Sequence, residues 1–406
     1  MQTLIKLQDI ATHMHLEPAE ETPNLPPLTH DKKVAPCGQI ITLPPKPIAQ
    51  QSSIEKQRAE LGISYAVMPN GKRMPLLKTL LTSACERNCN YCPFRAGRNY
   101  RRTTFKPEEM AKTFLQIYRA GLAEGLFLSS GIIGGGVRTQ DKLLTTAEIL
   151  RYKYAYKGYL HLKIMPGAEK AQVERAMQLA SRLSVNLEAP NEKRLYDLAP
   201  MKQFTTELLR PLRWMQEIRQ EQSQHLGWNG RWPSSTTQFV VGGTDESDLE
   251  LLSTAAFLYQ NYGLQRTYFS GFSPIPDTPL ENRAAVDPWR QNRLYQASFL
   301  LRDYGWDLEE MPFLLDGNLP LDEDPKLAWA RENLTDEPVE INRASRPELL
   351  RVPGIGPKSA ATIVQARRQG TLRDVIDLRK LGVKTKRLEP YVLLDGKRPL
   401  YQLPLL

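Results

Sequence analysis

Cys85-Glu86-Arg87-Asn88-Cys89-Asn90-Tyr91-Cys92 gathers three of the chain's four cysteines into one short window. An apolar run, Leu76 to Thr82, precedes it, and a basic loop, Pro93 to Arg102, follows. Thiolates cluster in this way to hold a metal ion or an iron–sulfur cluster. With three sulfur ligands, one iron of a four-iron cluster is left open to a second molecule. A structural zinc is the rival reading. It takes four ligands, most often in paired Cys-x2-Cys or Cys/His sets, and no histidine stands near this window. A disulfide framework does not fit four cysteines in 406 residues.

The length suits one large domain with one or two small ones. A hydrophobic content of 41% is enough for a core. No apolar run reaches the length of a membrane span. The first residues, Met1 to Leu16, carry Lys6, Asp9 and two histidines and lack a small-residue cleavage site, unlike a secretory signal. The expected compartment is the cytoplasm, which keeps thiolates reduced. The net charge of +9 is uneven. Residues 341–406 hold 14 Lys and Arg against 5 Asp and Glu, so the tail carries the whole excess. That asymmetry suits a polyanion-binding tail, with an ordinary solvated basic face as the alternative.

Residues 17 to 60 include Pro18, Pro23, Pro26, Pro27, Pro36, Pro44, Pro45 and Pro47. Proline resists helix and central strand, so an extended surface arm is expected. Residues 1–70 read as a Pro-rich N-terminal extension. Cys37 lies within it, either as a plain cysteine or as a thiol that donates a hydrogen atom at the active site.

From Leu76 to Pro274, short β-prone runs alternate with helical patterns. The runs are Leu76–Ser83, Gly125–Gly131, Leu160–Met165, Ser184–Glu188, Thr237–Gly242 and Gln265–Gly271. Lys106-Pro107-Glu108-Glu109 puts proline and acids in a first helical turn. Such alternation predicts βαβ units and a parallel sheet, with ligands beyond the carboxyl ends of the strands. The cysteine window follows the first strand, where that rule puts chemistry. Two inserts interrupt the pattern. Gly131-Ile132-Ile133-Gly134-Gly135-Gly136-Val137-Arg138 lacks the Lys-Ser/Thr of a P-loop, and reads as a flexible loop or a phosphate contact. Gln203 to Pro233 holds Trp214, Trp228 and Trp232 among arginines. These tryptophans either pack the insert onto the sheet or stack nucleobases.

A Cys-x3-Cys-x2-Cys window with an aromatic residue before the last cysteine resembles the radical S-adenosylmethionine (radical SAM, AdoMet) superfamily. The resemblance implies a [4Fe-4S] cluster on Cys85, Cys89 and Cys92, with AdoMet on the open iron. A one-electron reduction there releases a 5′-deoxyadenosyl radical. It also implies an α/β fold, a partial (β/α)6 TIM-like barrel over residues 71–330. A flavodoxin- or ferredoxin-type electron donor follows as well. Ser129-Ser130-Gly131 stands where the superfamily has a Gly-Gly-Glu-like turn for the AdoMet amino group, with the glutamate absent. Asn186 and Glu188 look like the ribose position. Gly242 and Gly243 resemble the glycine turn near adenine, and Tyr91 is expected to flank that base.

Beyond Glu340 the chain reads Glu348-Leu349-Leu350-Arg351-Val352-Pro353-Gly354-Ile355-Gly356-Pro357-Lys358-Ser359-Ala360. It resembles a helix-hairpin-helix module, expected as a small all-α domain over 335–406. Gly354 and Gly356 permit a tight turn, and Pro357 suits a first helical position. Amides at Gly354, Ile355, Gly356, Lys358 and Ser359 are expected to face DNA phosphates. A degenerate second copy follows at Leu381-Gly382-Val383 with Lys384, Lys386 and Arg387; protein docking is the alternative role. The whole resembles bacterial radical SAM proteins associated with DNA modification or repair that end in a helix-hairpin-helix. The expected function is an iron–sulfur radical enzyme acting on DNA. Only Cys37 remains outside the window, so a second cluster and sulfur insertion are not expected. The rivals are a DNA-binding iron–sulfur redox sensor that never cleaves AdoMet, and a radical enzyme acting on RNA or a small molecule.

Overall fold

The computed structural model describes residues 2–14, 53–67 and 72–400. Cys37 and most of the proline-rich stretch lie outside the described residues. The chain forms two compact units: Met1–Glu246 with Phe257–Gln291, and Ser247–Ala256 with Asn292–Leu406.

The first unit opens with helices α1 (Gln2–Met14) and α2 (Ser53–Glu60). Its seven-stranded sheet runs in chain order, β1 to β7. These strands are β1 (Ile63–Val67), β2 (Arg73–Leu80), β3 (Gly125–Ser129), β4 (Tyr159–Lys163), β5 (Arg182–Ser184), β6 (Ser234–Val241) and β7 (Arg266–Gly271). Strands β2 to β7 pair in parallel. They are the six strands of the expected partial barrel. Strand β3 is buried along its whole length, as a strand covered on both faces must be. Helices α3 (Pro107–Arg119), α4 (Gly136–Glu148), α5 (Lys170–Leu179), α6 (Glu192–Leu198), α7 (Arg210–Glu221) and α8 (Asp248–Tyr262) follow in the intervening segments. Helix α3 starts where its sequence signals put it: Pro107 occupies the first turn and Glu109 caps the Lys106 amide at 3.3 Å.

Four features differ from the sequence reading. Strand β1 is an antiparallel addition from a stretch assigned to the N-terminal extension, in register from Ile63 opposite Leu77 to Val67 opposite Arg73. Helix α2 occupies the proline-free end of the stretch expected to be extended. Helix α1 buries Leu7 and Ile10, and its Lys6 bonds Glu109 at 2.7 Å. Both ends of that segment therefore belong to the barrel unit. Finally, β5 stops at Ser184, so Asn186 and Glu188 lie beyond its end. Glu188 takes a left-handed φ of +65°, which a regular strand cannot contain. A single bridge to Phe239 keeps it against β6.

In the second unit, α9 (Pro288–Asp303) begins in the first unit and leads to α10 (Pro325–Asn333). Then come β8 (Val339–Glu340), α11 (Arg346–Arg351), α12 (Pro357–Ala366), α13 (Val375–Lys380) and β9 (Val392–Leu393). Strands β8 and β9 add a short parallel pair to the expected helices and tie the start of the module to its end. Ala330 and Leu334 of the α10 segment share one apolar core with Ile341, Leu349, Ile355 and Leu378. This packing groups residues 292–334 with the tail.

Two contacts hold the barrel's irregular parts. Arg151 is buried at 3% exposure, and burial pushes its guanidinium down to about 10. It donates to the carbonyls of Leu179, Tyr156 and Gly158 at 2.9, 2.7 and 2.9 Å. The Trp228 ring lies 3.9 Å from it. That tryptophan packs the 203–233 insert onto the barrel unit. The Glu86 carboxylate accepts from the amides of Gly134 and Gly135 at 2.9 and 3.0 Å. The glycine-rich insert thus closes on the cysteine loop through the chain's own anion.

Replacing Arg151 with Met strands three carbonyls and is expected to destabilise the protein by about 3 kcal/mol, read as a lower Tm in calorimetry. Glu86→Ala is expected to speed amide hydrogen exchange across residues 131–138, read by mass spectrometry, while Tm changes little.

Candidate active site

The peptide that leaves β2 is irregular, and its hydrogen bonds fix it strand by strand. Leu81 donates to Ser129 at 2.8 Å, Ser83 to Thr103 at 2.9 Å, Glu86 to Ile132 at 2.8 Å and Asn90 to Leu198 at 2.8 Å. The arginines of the basic loop serve the same purpose. Arg95 donates to the Cys89 carbonyl at 3.2 Å, and Arg98 to Pro93 and Pro276, both at 3.0 Å. Arg87 pairs with Glu207 at 2.6 Å.

This scaffold brings Cys85, Cys89 and Cys92 to one open cleft of about 630 Å³, its solvent-filled mouth included. None of the three is in a disulfide; Cys89 is buried and the others are half-buried. Backbone amides point at two of the sulfurs. Arg87 and Ile132 donate to Cys85 Sγ at 3.5 and 3.4 Å, and Phe94 donates to Cys92 Sγ at 3.4 Å. Such donors stabilise thiolate ligands of iron–sulfur clusters. Among the described residues, no three His, Cys, Asp or Glu side chains converge on one point as a single ion requires. A cluster does not require that, because each thiolate takes a different iron. The donor set suits a cluster with three protein ligands.

Ser129, Ser130 and Gly131 line the same cleft. The Ser130 hydroxyl is already given to the Gly131 carbonyl at 2.7 Å. Gly131 has a packing reason to be glycine: a Cβ there would sit 2.1 Å from the Ala84 carbonyl oxygen. Tyr91, Asn186 and Glu188 line both this cleft and an adjoining chamber of about 450 Å³, whose wall includes Gln238, Ser270 and Phe272. Gly242 and Gly243 line neither space. The Gly242 amide donates to Glu246 at 2.6 Å, and a Cβ at either glycine would meet Val286 or Leu198 at 2.8 Å. Their smallness serves the turn.

Three charged residues of the cleft escaped the sequence reading. Lys163 ends β4 and lines both chambers, and Arg87 and Lys202 line the first. Lys202 Nζ bonds Glu188 Oε1 at 2.9 Å, with side chains 9% and 3% exposed. Glu188 Oε2 is buried without a hydrogen-bond partner among the described residues. Burial pushes the Glu188 carboxyl up, but Lys202 and Lys163 outweigh it and hold the group below its usual range. Burial, then the Glu188 charge, holds the Tyr91 phenol far above its usual range. Burial likewise raises the Cys89 thiol, opposed by Lys202. Lys163 lay inside the expected run Leu160–Met165 and ends the observed β4. Lys202 sits in a turn after α6 that carries no motif.

In the tail, Gly354 lies at φ +86° and Gly382 at φ +76°. Ile355 and Val383 follow them into the core at 1% and 4% exposure. Lys358 and Lys386 stand exposed at the same distance beyond each glycine. Ile355 plugs the core, and its amide is used on Val352 at 3.1 Å. The amides of Gly356, Lys358 and Ser359 lie at the start of α12, where a helix supplies no acceptor. A Cβ at Gly354 would come within 3.2 Å of the Lys384 carbonyl oxygen, so the two glycine loops touch. Lys326 of α10 donates to the Ile355 carbonyl at 2.6 Å and braces the first loop. No helix among the described residues is long and apolar enough to cross a membrane.

Comparison with known proteins agrees with both parts. Residues 79–258 match the radical SAM superfamily, and residues 335–391 match a helix-hairpin-helix motif. No curated protein matches the chain. Among solved structures, a crystal structure of HydG, a maturase of the [FeFe]-hydrogenase, is similar at 12% identity and TM-score 0.43, covering 56% of this chain and 49% of that one. HydG from Carboxydothermus hydrogenoformans gives 15% identity, TM-score 0.43 and coverages of 56% and 51%. Methylornithine synthase (PylB) gives 14%, 0.41, and 56% and 68%. The chain spans about half the length of the HydG chains it matches. The superfamily implies an iron–sulfur cluster and AdoMet as cofactors. The chain carries a radical SAM domain followed by a helix-hairpin-helix motif.

Proposed function

We propose that the protein is a [4Fe-4S]-dependent radical SAM enzyme that modifies or repairs DNA. One observation carries the reading. Three reduced cysteines, a Ser-Ser-Gly strand end and a buried, half-satisfied carboxylate face one cleft, where the strands of a parallel sheet end. When bound, the cluster and AdoMet supply a one-electron cleavage of the sulfonium and a 5′-deoxyadenosyl radical. Cys85, Cys89 and Cys92 hold the cluster as thiolates. Ser129 and the carbonyls of the Ser-Ser-Gly turn accept from the AdoMet ammonium, a role a Glu fills elsewhere. Glu188 Oε2 accepts from a ribose hydroxyl while Oε1 stays on Lys202. Asn186 and Gln238 offer amides toward the adenosine, and Tyr91 flanks it. Gly242 and Gly243 shape the turn behind that chamber.

DNA as the substrate is supported by the tail. Its charge excess matches a polyanion. Two touching glycine loops, each followed by an exposed lysine, offer amides and charge to phosphates without reading bases. Gly354 and Gly382 form the turns, Gly356, Lys358 and Ser359 make the contacts, and Ile355 anchors them. The proposed compartment is the cytoplasm, with a low-potential flavodoxin- or ferredoxin-type donor.

The test is anaerobic reconstitution with iron and sulfide, then reduction with dithionite in the presence of AdoMet. Wild type is expected to form 5′-deoxyadenosine, and Cys89→Ala to form at least a hundredfold less. A fully loaded cluster that forms none would leave the redox-sensor reading in its place. For the tail, Lys358→Ala and Lys386→Ala are each expected to weaken duplex DNA binding by similar factors on unrelated sequences. Each should flatten the slope of log K against log salt by about 1, measured by fluorescence anisotropy.

A further inference from the structure

We propose that the Lys202 ammonium tunes the reduction potential of the cluster carried by Cys85, Cys89 and Cys92, with the Glu188 carboxylate as its counterweight. The inference rests on the reading of those cysteines as cluster ligands.

Lys202 is fixed at its backbone, where its amide donates to Ala199 at 2.9 Å. Its side chain is nearly fully buried and turns back to line the cleft that the three cysteines line. A buried ammonium is costly unless anions surround it. Glu188 supplies one of them at 2.9 Å. The cysteines, as thiolate ligands, supply the others from the wall of the same cleft. Both members of the ion pair therefore line the space beside the sulfurs.

Their opposite charges fix opposite signs. Reduction adds one electron to the sulfur-ligated irons and takes up no proton and breaks no bond. The added negative charge is stabilised by a cation in a partly buried, low-dielectric cleft. Lys202 therefore makes reduction easier, and Glu188 makes it harder. Two other cations line the cleft: Arg87, committed to Glu207 at 2.6 Å, and Lys163 at the end of β4. Lys202 acts as a fixed charge beside the cluster.

The experiment is a redox titration of the reconstituted full-length protein without AdoMet. Dithionite serves as the one-electron reductant, with the reduced cluster read by electron paramagnetic resonance. Lys202→Gln is expected to disfavour reduction about tenfold, a shift of about 59 mV to more negative potential for a one-electron couple. Lys202→Arg should restore most of the wild-type value, because it keeps the charge. Glu188→Gln should move the potential the opposite way, to more positive values. A purely structural role for the pair would not give opposite signs. If Lys202→Gln and Glu188→Gln both titrate like wild type, the inference is overturned while the cluster reading stands. Should Lys202→Gln fail to retain iron, Glu188→Gln decides alone: a more positive potential supports the inference and an unchanged one overturns it. If wild type itself holds no iron and sulfide, the cluster reading falls and this inference falls with it.

Discussion

An irregular loop that leaves a buried strand takes its backbone N–H and C=O groups with it, and each needs a partner. The cysteine loop meets that demand by borrowing from its neighbours. Its amides reach carbonyls at the ends of β3 and α6, and its carbonyls are met by Arg95 and Arg98. The positions of the three thiols follow from this network. Gly131 shows how tight it is, since the end of β3 passes so close to Ala84 that no side chain fits. The basic character of the Pro93–Arg102 loop, which in sequence suggests affinity for an anion, is largely consumed in tying the loop to itself and to Pro276.

Much of the barrel was legible because its signals are local. Six β-prone runs with helix starts between them gave the six parallel strands, each shifted by only a few residues. A proline followed by two acids placed α3. The missed features are those that depend on partners far away in sequence. Strand β1 has no period of its own and exists because β2 offers an edge. Residues 186–188 look like strand by composition, but the left-handed Glu188 turns its carboxylate into the cleft. Lys202 could not be found by motif, since its role comes from the side chains it lies among. The glycines at 242 and 243 mislead in the other direction. Their sequence resembles a ligand-binding turn, while in the fold their space is taken by Val286 and Leu198.

The cleft is polar in an uneven way. Lys163, Lys202 and Arg87 surround three thiols and one carboxylate, and the deepest charges are the ones most constrained by geometry. Burial works against the Glu188 and Lys202 charges, and each is offset by the other. The tail solves the opposite problem. Its lysines stay in water, and its glycine loops are held by what lies beneath them: Ile355 and Val383 in the core, and Lys326 against a carbonyl.

The clasp between Glu86 and the amides of Gly134 and Gly135 bears on the life of the protein before any prosthetic group arrives. A loop held by its own hydrogen bonds has little conformational entropy left to lose on binding. Whatever the three thiols bind then meets a loop already shaped, and local opening of that loop first breaks the Glu86 contacts.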